Sequence, residues 1–248
     1  MKKRLAVLPV LLIAVALSAC SRPAAAPAHK DMAMETPPSS GQEDADFGLR
    51  LALLEGHLVI GRELIDAHQT QNALPHFGHP VRELYGDLSP VIEARHGVQF
   101  RTDLVVLEST AGLQPDSDTF RTRFATALTR VHDARALIPA PMRASDDYTL
   151  HLVSDIATTA SQEYRSAIIA GKIGSLVEYH DARGFISYAT LLLKDHAASD
   201  NPKMKEAIAA IARLQVMVAA LDPPTTPAAT DAQFEAEAAR LRDLVKTS

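Results

Sequence analysis

From Asp46 to the end of the chain, apolar residues recur at helical spacing, and no run of alternating β-branched residues lasts more than a few positions. That single periodicity excludes a sheet-based fold and predicts an all-α protein, a helical bundle of about eight helices. The first helix is expected over about Asp46–His68, with Leu51, Leu54, Leu58 and Ile65 on one stripe. A second starts at Pro80, a residue suited to a first helical turn, and runs through Leu84, Leu88 and Ile92 to about His96. Shorter or capped helices follow at Thr102–Ser109 and after Ser117, the latter carrying Phe120, Phe124, Leu128 and Val131. Ser145 opens a long helix to Ala170, and Gly171-Lys172-Ile173-Gly174 breaks it before a partner from Ser175 to about His196. Asn201-Pro202 begins a helix that ends at Asp222-Pro223-Pro224, and Thr230-x-x-Gln233 has the form of a capping box for the last one. Ala157, Ala160, Ala167 and Gly171 give the fifth helix a small-residue face, which suits a chain with only 5% aromatic residues and no Trp.

Composition then removes several functions. A single cysteine, Cys20, rules out an internal disulfide framework, a thiolate zinc site or an iron–sulfur cluster, so any metal must rest on His, Asp or Glu. The net charge of -5 argues against a nucleic-acid partner, which calls for a basic face. No HExxH motif, nucleophile elbow or Gly-rich loop after a strand is present, so no particular reaction is specified and a non-enzymatic role is favoured.

The first twenty residues carry their own message. Lys2, Lys3 and Arg4 precede an apolar run from Leu5 to Leu17, shorter than the roughly 20 residues of a spanning helix, and read as a secretory signal over residues 1–19. The ending Leu17-Ser18-Ala19-Cys20 resembles a bacterial lipobox. That resemblance implies cleavage before Cys20 and lipidation of its thiol, palmitate-like chains anchoring the protein to a membrane. Ser21, in place of Asp, implies outer-membrane sorting with the protein facing the periplasm. The other reading is an ordinary signal peptide followed by a free thiol. Loss of three basic residues would take the charge from -5 to -8. Residues 20–45, rich in Pro, Ala and Ser, read as a flexible tether, and residues 46–248 as the helical domain.

Ten histidines are unevenly distributed, five of them between residues 57 and 96. In Glu55-Gly56-His57-Leu58-Val59-Ile60-Gly61 an imidazole adjoins the apolar stripe, flanked by glycines that cost about 1 kcal/mol each inside a helix. Close approach of another backbone is the simplest reason for them. In Pro75-His76-Phe77-Gly78-His79-Pro80-Val81-Arg82-Glu83, His79 is expected at a helix cap with Glu83 one turn on, and His76 in a preceding loop. His57, His76, His79 and Glu83 together are candidate ligands for iron, copper or zinc. His57 lies eleven residues before His68, about 16 Å of helix, so a tight hairpin would leave it far from His79. A partly extended segment 69–79 could return over that distance. The alternative is structural: His76 and His79 at a helix entry and His57 as a core histidine bonded to a carbonyl.

A second cluster sets Gln162-Glu163-Tyr164-Arg165 opposite Glu178-Tyr179-His180-Asp181-Ala182-Arg183. A hairpin centred near residue 173 pairs positions whose numbers sum to about 346, which opposes Glu163 to Arg183 and Tyr164 or Arg165 to Asp181 as an ion-pair ladder. His180, sharing a face with Val177, Gly184 and Leu191, together with Glu178 and Tyr164 forms a second-choice metal site; a Tyr164–His180 core hydrogen bond is the competing reading. His132, His151 and His196 read as isolated surface or packing residues.

Apart from the lipobox, the acidic helical chain with clustered imidazoles and carboxylates faintly resembles the imelysin group of periplasmic iron-associated helical proteins. That group's His-x-x-Glu pairing is replaced here by His79-x-x-x-Glu83. Two functions follow as expectations: a lipid-anchored periplasmic protein that binds or handles a transition metal, or a non-catalytic structural adaptor that binds an envelope protein partner.

Overall fold

A computed structural model describes residues 40–246. The signal, Cys20 and most of the expected tether lie outside them. The described residues form helices α1 (Ser40–Asp66), α2 (Thr70–His79), α3 (Tyr85–Ala94), α4 (Arg101–Leu113), α5 (Asp118–Arg135) and α6 (Ala140–Arg143). They continue with α7 (Asp146–Ala167), α8 (Leu176–Leu193), α9 (Pro202–Met217) and α10 (Asp231–Lys246). The fold is all-α, with only the two-residue strands β1 (Ile168–Ile169) and β2 (Lys172–Ile173) between α7 and α8. Among the described residues no helix is long and apolar enough to cross a membrane.

The helix starts follow their capping residues. Ser117 and Ser145 accept hydrogen bonds from the Phe120 and Tyr148 amides, and Asn201 accepts one from Lys203. Thr230 and Gln233 bond reciprocally, as a capping box requires. The first helix starts at Ser40, earlier than the apolar stripe indicates, because its opening turns are polar.

Two elements depart from the sequence expectation. Segment 70–79 is helical rather than a loop, so His76 and His79 stand one turn apart on α2. His68, at φ 59°, turns the chain back between α1 and α2. A helical hairpin turning at residue 68 brings His57 and His79, eleven residues to either side, to the same level, so the hairpin joins the two residues instead of separating them. After α2, Pro80 cannot donate to the His76 carbonyl, and its ring crowds that oxygen. The chain widens there into a π turn over Pro80–Leu84, closed by the Tyr85 N–H on the Pro80 carbonyl.

The second departure is register. Ala170 and Gly171, both at positive φ, make the tight turn, and Ile168 pairs with Ile173. Opposed positions therefore sum to 341 rather than 346, which sets Glu163 against Glu178 and not against Arg183. Arg183 instead pairs with Glu63 and donates to the Val218 and Ala219 carbonyls.

α7 and α8 pack along their length, with α10 on α7 and α9 against both α8 and α10. α1 lies on α8, α2 on α1, and α4 links α2 to α5. Ala157, Ala160 and Ala167 are fully buried, as the small-residue face implied, whereas Gly171 is exposed in the turn beyond the end of α7. The junction of α1, α2 and α8 is where the functional candidates meet.

Candidate metal centre

The glycines beside His57 have a visible cause. A Cβ on Gly56 would lie 2.6 Å from the Phe185 ring, and one on Gly184 2.5 Å from the Gly56 carbonyl oxygen, so α1 and α8 touch backbone to backbone. Gly61 makes room in the same way for the Phe77 ring of α2. These close approaches bring His57, His76 and His79 around one carboxylate, Asp181 of α8, which is only 2% exposed.

Asp181 Oδ1 lies 2.7 Å from His57 Nδ1 and 2.7 Å from His76 Nδ1, and Oδ2 lies 3.2 Å from His79 Nδ1. One donor atom from each of the four side chains falls within 4.8 Å of all the others. Only the His76 contact is a hydrogen bond, with the Nδ1–H donating to the carboxylate. The Nδ1 atoms of His57 and His79 are close to Asp181 but out of line with it, and both are buried without a hydrogen-bond partner, as is His76 Nε2. Buried polar atoms rarely stay unpaired in a native protein. Donors about 2 Å from a shared ion would themselves be roughly 3 Å apart, which is the spacing of the three Asp181–His pairs and needs no N–H···O alignment. The edge of the Phe185 ring packs against His57, at 4.9 Å between centroids, and closes the apolar side.

Electrostatics prepare these groups differently. Burial pulls His76 below the ordinary histidine range even though Asp181 opposes the shift, which leaves it a neutral imidazole. The carboxylate of Asp181 raises His79 against a smaller opposing effect of burial. Burial works against ionising Asp181, yet the surrounding imidazoles, His57 foremost, outweigh it and hold the carboxyl well below the usual range. An ionised carboxylate amid imidazoles that can lose their protons is the protonation pattern metal binding uses.

Glu83 stands at the rim, its Oε1 3.9 Å from His79 Nε2, and belongs to the cavity wall rather than to the four-residue cluster. The second-choice residues do not come together. His180 donates from Nε2 to the Leu221 carbonyl, and the Tyr164 hydroxyl donates to Ala229. Both therefore hold the segment between α9 and α10, as do Tyr179 on Ala220 and Arg183. Neither the Tyr164–His180 bond nor the ladder between Tyr164 or Arg165 and Asp181 forms. Glu178 instead meets Glu163, which burial, with the charges of Asp181, Glu178 and Glu83, pushes up to about 7. Of the histidines expected to stand alone, His132 reaches Glu55 and His196 reaches Asp146, both away from the cluster.

Asp181 is the residue that periodicity alone could have found. It lies four residues after Val177 and three before Gly184, on the inward face that also suggested His180. The assumed register hid it.

Residues 139–248 match the model of an iron permease-associated four-helix bundle domain. That span runs from α6 through α10 and includes Asp181, Glu163 and Glu178, while the three histidines precede it. No curated protein and no solved structure matches the chain.

Proposed function

We propose that this protein is lipid-anchored at the cell envelope through Cys20, faces the periplasm, and uses its helical domain to bind and handle a transition-metal ion. The ion is held by His57, His76, His79 and Asp181, with Glu83 at the entrance. The observation that carries the reading is the convergence of three imidazoles on one buried carboxylate, with nitrogens left without hydrogen-bond partners. Three nitrogens and one oxygen suit iron, zinc or copper and lack the oxygen-rich character of calcium or magnesium sites. Iron is favoured because it fits these donors and because the matched domain is described as iron permease-associated. Handling or delivery to an envelope partner is the role that accords with the iron permease-associated description of the domain matched by residues 139–248.

Metal analysis of the purified chain tests this directly. At least one ion per chain is expected after loading with Fe(II) under anaerobic conditions, with loss of the histidine-bound ion in Asp181→Asn and in a His76→Ala, His79→Ala double variant. Substoichiometric metal in the unaltered chain, with the histidine variants losing thermal stability equally in metal and in chelator, would leave the cluster a structural device. Mass spectrometry of membrane-extracted protein tests the anchor: acyl chains on Cys20 are expected, and an unmodified thiol would refute it.

A further inference from the structure

The cavity beside the histidines is lined by more carboxylates than one ion requires. It measures about 220 Å³ and is bounded by His57, His79, Glu83, Glu163, Glu178 and Asp181, among others. One carboxylate oxygen each from Glu163, Glu178 and Asp181 lies within 4.8 Å of the other two. We infer that this cavity holds a second metal ion, bound by Glu163 and Glu178, with Asp181 shared between it and the histidine-bound ion.

Two observations support a dinuclear centre beyond the acidic cluster itself. His57 lines the same cavity, is 4% exposed, and has a buried Nδ1 without a hydrogen-bond partner. Arg183, the cation expected to neutralise Glu163, is engaged by Glu63 and two carbonyls, and Arg82 by Glu108. The volume suffices, because paired ions stand about 3.5–4 Å apart and a water occupies about 30 Å³. The donor sets differ: nitrogen-rich on one side, carboxylate-only on the other. The second position therefore suits a harder first-row divalent ion, Fe(II) or Mn(II).

This inference rests on the histidine site proposed above, and stoichiometry separates the two. The full chain is loaded anaerobically with Fe(II), desalted and assayed for iron per chain, beside Glu163→Gln, Glu178→Gln and the double variant. The expected result is two ions in the unaltered chain and one in the double variant, with each single variant weakening the second ion at least tenfold. One ion in both the unaltered chain and the double variant overturns the second position and leaves the histidine site standing. Two ions in both overturns the assignment to these glutamates. No ion in the unaltered chain removes the histidine site and the inference together. The unaltered chain alone decides the count, so the test survives a variant that fails to fold.

Discussion

Glu163 shows how a single residue's position sets its pH behaviour. In the metal-free chain, burial and the neighbouring carboxylates raise it from 4.5 to about 7. Between those values the folded chain holds a proton that the unfolded chain has released, so stability falls as pH rises through this window. The shift would be worth about 3 kcal/mol in a fully buried group, and partial exposure reduces this to about 1 kcal/mol. Metal-free Glu163→Gln is therefore expected to be about 1 kcal/mol more stable than the unaltered chain at pH 8 and nearly equal to it at pH 4.5. Urea denaturation at the two pH values checks this, and an equal difference at both would sink it. At this scale the sequence was legible where chemistry alone decides. His57, His76 and His79 stood out by residue type and by the glycines beside them. Asp181 did not, because its partner depends on which residues α8 faces, and a difference of five in the hairpin sum separates the centre of the site from an ion-pair ladder.

The elements carry the site by how closely they approach. A Cβ on Gly184 would sit 2.5 Å from a backbone oxygen of α1 and 2.9 Å from the Ile60 Cβ, neither of which can swing away. Gly184→Ala must push α1 off α8. Overpacking costs about 1–3 kcal/mol, against roughly 1 kcal/mol recovered in helix propensity, so a net loss of about 1–2 kcal/mol is expected. The same displacement moves His57 away from Asp181, and metal affinity should fall at least tenfold. Gly86→Ala on α3, whose Cβ would meet nothing within 4 Å, is the control and should leave both quantities unharmed. Equal metal affinity in Gly184→Ala and the unaltered chain would refute the link between this contact and the site. The eight expected helices were legible from their stripes and caps. α2 was not, because Pro75 and Gly78 oppose helix on propensity, and the helix is held by tertiary burial of Ala73, His76 and Phe77.

The site spans the described domain. His76 and Asp181 are 105 residues apart, with the histidines on the first two helices and the carboxylates within the part that matches a four-helix bundle domain. A bound ion would therefore join α1 and α2 to α8 and α7, and its binding energy would stabilise the whole cooperative unit. At a free ion concentration 100 times its dissociation constant, the folded state gains about 2.7 kcal/mol. For a domain of this size each kcal/mol raises the melting temperature by about 2–4 °C, so loading should raise it by about 5–10 °C. Asp181→Asn should show no such rise, and a chelator should reverse it in the unaltered chain. Because imidazoles must be unprotonated to bind, the rise should shrink as pH falls below about 6. Scanning calorimetry with and without Fe(II), at pH 7.5 and pH 5.5, measures each of these. A rise of the same size in Asp181→Asn would place the stabilising ion elsewhere on the chain. A rise that persisted undiminished at pH 5.5 would point to carboxylate ligands alone, and would separate the histidine position from its acidic neighbour.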